Sequence, residues 1–390
     1  MAAGATMPGI HLLHVFSTFA VGGPQTRFAM LADRLGDGYR HSIVSMSGRT
    51  EAAGLLPAHV AFTLVPIRNT PRNPVANVLR FARDLRRRNP DLLVTYNWGA
   101  LEWALGNLIG PRLPHVHIED GFGPDEALKR FRRRIWLRRL GLRLTRTVVV
   151  PSRNLETIAL GEWRLARRRV AYLPNGVDIA RFSAAIPESE RAFVKQPGEL
   201  IVGTCAALRP EKNLARLIRA FAACNPQGAR LVICGDGSER AALERAAVAN
   251  GVADRVSFIG YLARPELALA GFDIFAMSSD TEQMPYGLLE AMVAGLPAVS
   301  TDVGDIKTIV ADSNRPFVVP VPDEAALTGA LRTLMRDHGL RARLGADNRD
   351  KAVREFGLDR MVAAYDDLFA STARDPGAAK PIRLKRAPSA

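Results

Sequence analysis

DIFAMSSDTEQMPYGLLEAMVAGLPAVST, residues 273–301, decides how the chain folds. An apolar run (273–279) gives way to a polar loop, Pro285-Tyr286-Gly287 opens a helix, and a second apolar run, PAVST (297–301), follows. Short, nearly continuous apolar strands joined through a helix belong to a parallel sheet covered on both faces. Such sheets bind ligands in the loops at the carboxyl ends of their strands. Two carboxylates fall in this segment. Glu282 follows the first strand, and Glu290 sits inside the apolar run LLEAMVAG. A carboxylate there is costly to bury unless it is paired or bound to a ligand. Two ribose hydroxyls would satisfy Glu290, and the N–H groups of Gly287, Leu288 and Leu289 at the helix start would meet phosphate. The alternative is a solvent-facing Glu on an amphipathic helix.

The same alternation extends in both directions. IVGTCAAL (201–208), ARLVICG (229–235), RVSFIG (255–260) and FVVPV (317–321) read as further strands of the second half. In the first half, IHLLHVF (10–16), HSIVSM (41–46), VAFTLVPI (60–67), LLVTY (92–96), HVHIE (115–119) and TVVVPS (147–152) do the same, with helical patterns at 24–35 and 73–88 between them. YLPNGVD (172–178) interrupts the series and puts a domain boundary near Gly176–Phe182. After Pro322 the pattern is helical to about Thr372, and ARDPGAAKPIRLKRAPSA reads as a disordered tail. The expected division is a first Rossmann-like domain over 1–180, a second over 181–360, a helix at 361–373 packing back toward the first, and a basic tail over 374–390.

At 390 residues, 47% hydrophobic and 24% charged, the chain is globular and long enough for two such α/β domains. No apolar run reaches the roughly 18 residues of a membrane span, and the N-terminus does not read as a secretory signal. Cys205, Cys224 and Cys234 lack metal-ligand spacing and read as core thiols in a reducing, cytoplasmic setting. Charge is more telling. The net is +14, and residues 1–180 hold 26 Lys and Arg against 13 Asp and Glu, whereas residues 181–390 hold 27 against 26. A one-sided basic surface calls for an anionic partner. Nine of the cations lie between Lys129 and Arg146, interleaved with Phe131, Trp136, Leu140 and Leu144. That stretch is either an amphipathic helix resting on anionic lipid or an ordinary domain helix with a solvated basic face. Nucleic acid is disfavoured, because aromatics are only 7% and no nucleic-acid module is present.

Two more loops could carry chemistry. Gly22-Gly23-Pro24 follows the first strand and opens a helix, either as a close-approach turn for an anion or as a plain tight turn. Arg209-Pro210-Glu211-Lys212-Asn213 follows the first strand of the second half, where Arg209 and Lys212 either grip a diphosphate or simply lie in a solvated loop.

Taken in order, VGGPQTR, PNGVDIARF, LRPEKN, ICGDGSER, FIGYL and the pair Glu282 and Glu290, eight positions apart, resemble the retaining glycosyltransferases of family 4. The resemblance runs from about residue 10 to 370. In general style it extends to bacterial exopolysaccharide and lipid-linked sugar transferases. It implies the GT-B fold, two Rossmann-like domains with parallel sheets facing each other across a cleft. It also implies hexosyl transfer from a nucleotide-diphospho-sugar, UDP- or GDP-linked, to a lipid-linked or polysaccharide acceptor, without metal or other cofactor. Arg209 and Lys212 would neutralise the leaving diphosphate, Glu282 would lie over the donor sugar and Glu290 would hold the ribose. Gly22, Gly23, Gly287, Leu288 and Leu289 would line the donor phosphates, and Gln25, Asn97 and Glu119 the acceptor side. One departure stands out. Where the family often carries a His near the acceptor hydroxyl, this chain has HVHIEDGFG, with Asp120 at that register and His117 three positions earlier. Either His117 serves from a shifted loop, or Glu119 or Asp120 does. The expected setting is cytoplasmic, peripheral on the inner membrane face through the first domain. The competing readings are a GT-B nucleotide-sugar epimerase and a non-catalytic GT-B-like scaffold.

Overall fold

The computed structural model describes residues 9–67, 73–122, 126, 130–225 and 227–374. The start of the chain, Lys129 of the basic stretch and the tail beyond Arg374 lie outside the described residues. The fold consists of two compact units. The first runs to Pro174 and resumes at Arg360, and the second is Asn175–Asp359.

The first unit is built on seven parallel strands: β1 (Ile10–Phe16), β2 (Tyr39–Ser45), β3 (Phe62–Val65), β4 (Leu92–Tyr96), β5 (His115–Ile118), β6 (Thr147–Val150) and β7 (Val170–Tyr172). Their order is β3-β2-β1-β4-β5-β6-β7, so the chain winds outward first on one side of β1 and then on the other. The central strands are buried on both faces, which is why they read as unbroken apolar runs. The helix Pro74–Arg88 starts where Asn73 accepts from the N–H groups of Val75 (3.0 Å) and Ala76 (3.3 Å), with Pro74 at the first helical position. It stops at Asn89 in the left-handed region (φ 43°), with Arg86, Arg87 and Arg88 at the negative end of its dipole. Phe81 of that helix stacks on Trp103 of the helix Leu101–Ile109 at 4.5 Å. From Arg360 onward the helix Leu358–Arg374 belongs to this unit, and Tyr39 donates its hydroxyl to the Asp366 carboxylate.

The second unit has six parallel strands, β8 (Leu200–Cys205), β9 (Ala229–Cys234), β10 (Val256–Gly260), β11 (Ile274–Met277), β12 (Ala298–Thr301) and β13 (Val318–Val319), ordered β10-β9-β8-β11-β12-β13. Two apolar clusters sandwich this sheet. One is centred on Phe275, Leu289 and Met292, the other on Leu217, Phe221 and Leu331. Backbone passes close to backbone at the carboxyl edge of the sheet. Gly235 (φ 143°) and Gly237 (φ 157°) lie so near Ala206 and Leu208 that a Cβ would fall 1.8 and 2.4 Å from their carbonyl oxygens. Only glycine fits there.

The sheet reversal between β1 and β4, and again between β8 and β11, makes each unit a doubly wound, Rossmann-like domain. Together they constitute the GT-B α/β fold.

Candidate functional site

In the second unit the loops after β8 and β11 are stitched together. After β8 the chain makes a short 3₁₀ turn, Pro210–Lys212, and enters the helix Leu214–Ala223 through Asn213, itself left-handed at φ 43°. Asn213 donates its amide to both Asp280 oxygens (3.2 and 3.1 Å). The Asp280 N–H donates to Glu211 O (2.9 Å). Arg216 donates to Ser278 O (3.0 Å) and pairs with Asp280 (2.8 Å), and the Ser278 hydroxyl donates to Asn213 O (2.9 Å). This network fixes where Arg209, Lys212 and Glu282 stand. The Lys212 ammonium contacts the Glu282 carboxylate, which also accepts from Ser279 Oγ (2.8 Å). Gly304 (φ 57°) closes over the Glu282 backbone, where a Cβ would lie 2.3 Å from Glu282 O. Arg209 is exposed, with no ion-pair or hydrogen-bond partner for its guanidinium among the described residues.

The helix Tyr286–Val293 starts behind Pro285 without a side-chain cap. The Leu289 N–H is already used, donating to Pro285 O at 3.4 Å, so of the three donors expected there Gly287 and Leu288 remain. The Leu288 and Leu289 side chains are core, so only backbone is on offer at these positions. One turn further on, Glu290 is half-buried and its carboxylate has no hydrogen-bond or ion-pair partner among the described residues. Burial pushes its carboxyl up to about 7, with Arg181 pulling the other way and Glu266 adding to the rise. Arg181 itself is held by Glu266 (2.7 Å).

In the first unit the helix Gly23–Leu35 begins without a side-chain cap. Gly22 is extended (φ −178°), a conformation open to any residue, and a Cβ there would meet only Gln25 Oε1, at 3.0 Å. Gln25 is buried and donates to Thr18 O (2.7 Å). Asp120, just past β5, donates its N–H to Asn97 Oδ1 (2.7 Å) and pairs with the buried Arg27.

The strand before it settles one of the sequence alternatives. His115, His117 and Glu119 alternate onto a single face, as a strand's period of two requires. His115 and His117 both bond Thr95 Oγ1 (2.7 and 2.8 Å). His117 meets Glu119 at 3.3 Å, Glu119 meets Arg138 at 3.2 Å, and Arg138 meets Glu126 at 3.3 Å. His117 and Glu119 are 1% and 0% exposed. Burial alone would raise the Glu119 carboxyl, but Arg138 and the His117 contact hold it below its ordinary value. The expectations for His117 as a catalytic group and Glu119 as an acceptor-side group are therefore corrected: both are sealed in a core ion-pair network. Asp120 alone of the three stands at the strand end. Arg138, counted in the sequence among the surface cations, is 1% exposed and belongs to the same network.

Two family models match the chain in tandem: Glycosyltransferase Family 4 over residues 21–181 and Glycosyl transferases group 1 over residues 185–351. The chain belongs to the family 4-type GT-B glycosyltransferases. It is similar to the 2-deoxystreptamine N-acetyl-D-glucosaminyltransferase of Streptomyces fradiae, 28% identical over 87% of this chain and 91% of that one. It is also similar to the D-inositol 3-phosphate glycosyltransferase of Xylanimonas cellulosilytica, 32% identical over 53% of each chain, so it spans about half of that relative. Among solved structures, Anabaena Alr3699/HepE in complex with UDP superimposes with a TM-score of 0.78 at 20% identity, over 93% of this chain and all of the other.

In this glycosyltransferase the residues absent from the sequence expectation are the supports. Asn213, Asp280, Arg216 and Ser279 hold the charged groups in place, and Arg27 holds Asp120. The signal for Arg27 was faint but present: an arginine leading the helical pattern RFAMLADRL (27–35), on the same face as Leu31 and therefore needing a buried partner. No helix of the described residues is long and apolar enough to cross a membrane.

Proposed function

We propose that this glycosyltransferase moves a hexosyl group from a nucleotide-diphospho-sugar, UDP- or GDP-linked, with retention of configuration and without a metal ion. The observation carrying this reading is Glu290: a half-buried carboxyl with no hydrogen-bond or ion-pair partner among the described residues, one turn inside a helix whose second and third residues, Gly287 and Leu288, offer backbone N–H groups. That arrangement suits a ribose diol followed by phosphate. Arg209 and Lys212 supply the charge that neutralises the departing diphosphate. The acceptor oxygen bonds the anomeric carbon as the carbon–phosphate-oxygen bond breaks on the same face, and the acceptor proton passes to the leaving phosphate oxygen. Protein groups position the partners and stabilise charge. In the first unit Asp120 is the group available at the strand end for acceptor handling. HepE, a neighbour in fold, is described in complex with UDP and with UDP-glucose, which favours a uridine donor.

A lipid-linked or polysaccharide acceptor at the inner membrane face fits the outer surface of the helix Arg132–Gly141. Trp136 and Leu140 are exposed one turn apart on it and Leu144 is exposed just past its end, together with exposed Arg132, Arg133 and Arg143. A second reading, a small cyclitol acceptor, is favoured by the full-length similarity to the Streptomyces fradiae aminocyclitol glycosyltransferase. Incubating the purified enzyme with UDP-, GDP- and ADP-sugars, then offering membrane extract or soluble cyclitols, separates these outcomes. Failure to release nucleoside diphosphate from any donor removes the proposal.

A further inference from the structure

The first unit has a second concave site, at the end of its sheet opposite to Asp120. It is a cavity of about 470 Å³ bounded by the residues that lead into β5, β6 and β7. Arg112, Arg146, Arg168 and Arg169 line it, and no Asp or Glu does. Arg112 is in the left-handed region (φ 56°), in a loop that Asn107 clamps by bonding both the N–H and the O of Leu113 (2.8 and 2.9 Å). Arg169 donates to the carbonyls of Arg143 and Thr145, so backbone rather than a carboxylate fixes it. Arg146 Nη2 is shut off from solvent and has no hydrogen-bond acceptor. Burial, then the like charges of Arg168 and Arg146, push the Arg169 guanidinium down from its ordinary value. The neighbouring His115 adds no charge, because burial and His117 depress it to about 3. Four guanidinium groups thus share one cavity with a donor unsatisfied and nothing anionic among them. Such a set is electrostatically incomplete until an anion enters, and guanidinium forks match phosphate oxygens. Leu144, itself exposed, completes the outline.

We propose that this cavity is a phosphate-binding site, separate from the donor-binding loops, that takes a ligand carrying a phosphomonoester or a diphosphate. The source is either a soluble phosphorylated molecule or the headgroup of an anionic lipid. The site does not depend on the donor reading, since it lies in the other unit and uses none of its residues.

The test uses full-length protein carrying Arg209→Ala and Lys212→Ala, which removes the donor-loop charges. Titration of inorganic pyrophosphate is followed by calorimetry. Binding is expected in this background, weakened by about tenfold or more when Arg112→Gln and Arg168→Gln are added. Both residues are exposed, so circular dichroism should be unchanged. No binding in the donor-loop variant, or equal binding after the two further changes, overturns the proposal. Bound pyrophosphate is then challenged with glycerol 3-phosphate and with phosphatidic acid in phosphatidylcholine vesicles. Displacement by the first alone supports a soluble ligand, and displacement by the vesicles supports a headgroup. Displacement by neither overturns the assignment to phosphate esters.

Discussion

Lys212 and Glu282, seventy positions apart, form an ion pair in which the ammonium sits on one carboxylate oxygen and Ser279 donates to the same oxygen. Both are largely shielded, so removing one leaves the other short of a partner. A double-mutant cycle of Lys212→Ala and Glu282→Ala in chemical denaturation is expected to show coupling of about 0.5–3 kcal/mol. In transfer assays Lys212→Ala or Arg209→Ala should each lower turnover by about tenfold or more, as charge-assisted contacts to a developing diphosphate are lost. Near-normal turnover in both variants removes the donor grip from these residues.

The proposed ribose-binding role of Glu290 would make donor binding depend on pH. Desolvation of this half-buried carboxyl pushes it up to about 7. The ionised form accepts hydrogen bonds from two hydroxyls more strongly than the neutral acid does. Nucleoside diphosphate affinity should therefore fall as pH drops through 7, approaching tenfold per pH unit below it. Glu290→Gln should bind weakly and lose that dependence. A flat profile in the wild-type protein argues that Glu290 does not meet the ribose.

Three buried histidines of the first unit set its acid limit. His41 is lowered to about 4, chiefly by burial with His11 adding to it, and His115 to about 3 by burial and His117; burial and His41 also hold His14 well below its ordinary value. The unfolded chain protonates all three near 6.5 while the folded one does not, so it binds more protons between about 6.5 and 4. Stability is then complete above about 6.5 and declines as pH falls, by up to about 1.4 kcal/mol per unit for each histidine. Urea midpoints from pH 8 to 4.5 should show this slope, and His14→Phe should reduce it.

Metal removal should leave transfer intact. On the proposed reading Arg209 and Lys212 supply the charge that a divalent ion would otherwise bring to the diphosphate. EDTA-treated enzyme should retain its rate, and loss of activity restored by Mn²⁺ or Mg²⁺ would remove this part of the reading.

The exposed face of the helix Arg132–Gly141 predicts salt-sensitive binding to anionic liposomes, each Lys or Arg at the surface adding about 1 kcal/mol. Arg132→Gln with Arg133→Gln and Trp136→Ala should abolish flotation while shifting stability little. Arg138→Gln is a different experiment: it leaves Glu119 and Glu126 buried without their shared cation and should cost about 3–5 kcal/mol. Wild-type protein that ignores anionic liposomes at low salt assigns this face to solvent alone.

Apolar strands written without interruption, as in LLVTY and TVVVPS, are legible because burial on both faces leaves no other composition. β7 escaped notice since its three residues lie between Arg169 and Leu173-Pro174 and are too short to show a period. Glu290 was legible as a charge in an apolar helix. His117 and Glu119 were misread because nearness to a strand end drew attention away from their alternation with His115, which turns all three inward. Arg138 was counted with its neighbours because a run of arginines hides which member points into the core.

That inward arginine has a consequence for redesign. The helix Arg132–Gly141 is fastened from within, through Arg138 to Glu119 and Glu126, while its outer side chains, Arg132, Arg133, Trp136 and Leu140, contribute little to holding it there. Its outer face is therefore open to rewriting: replacing those four residues should change what this surface presents to its surroundings while leaving the fold as it is.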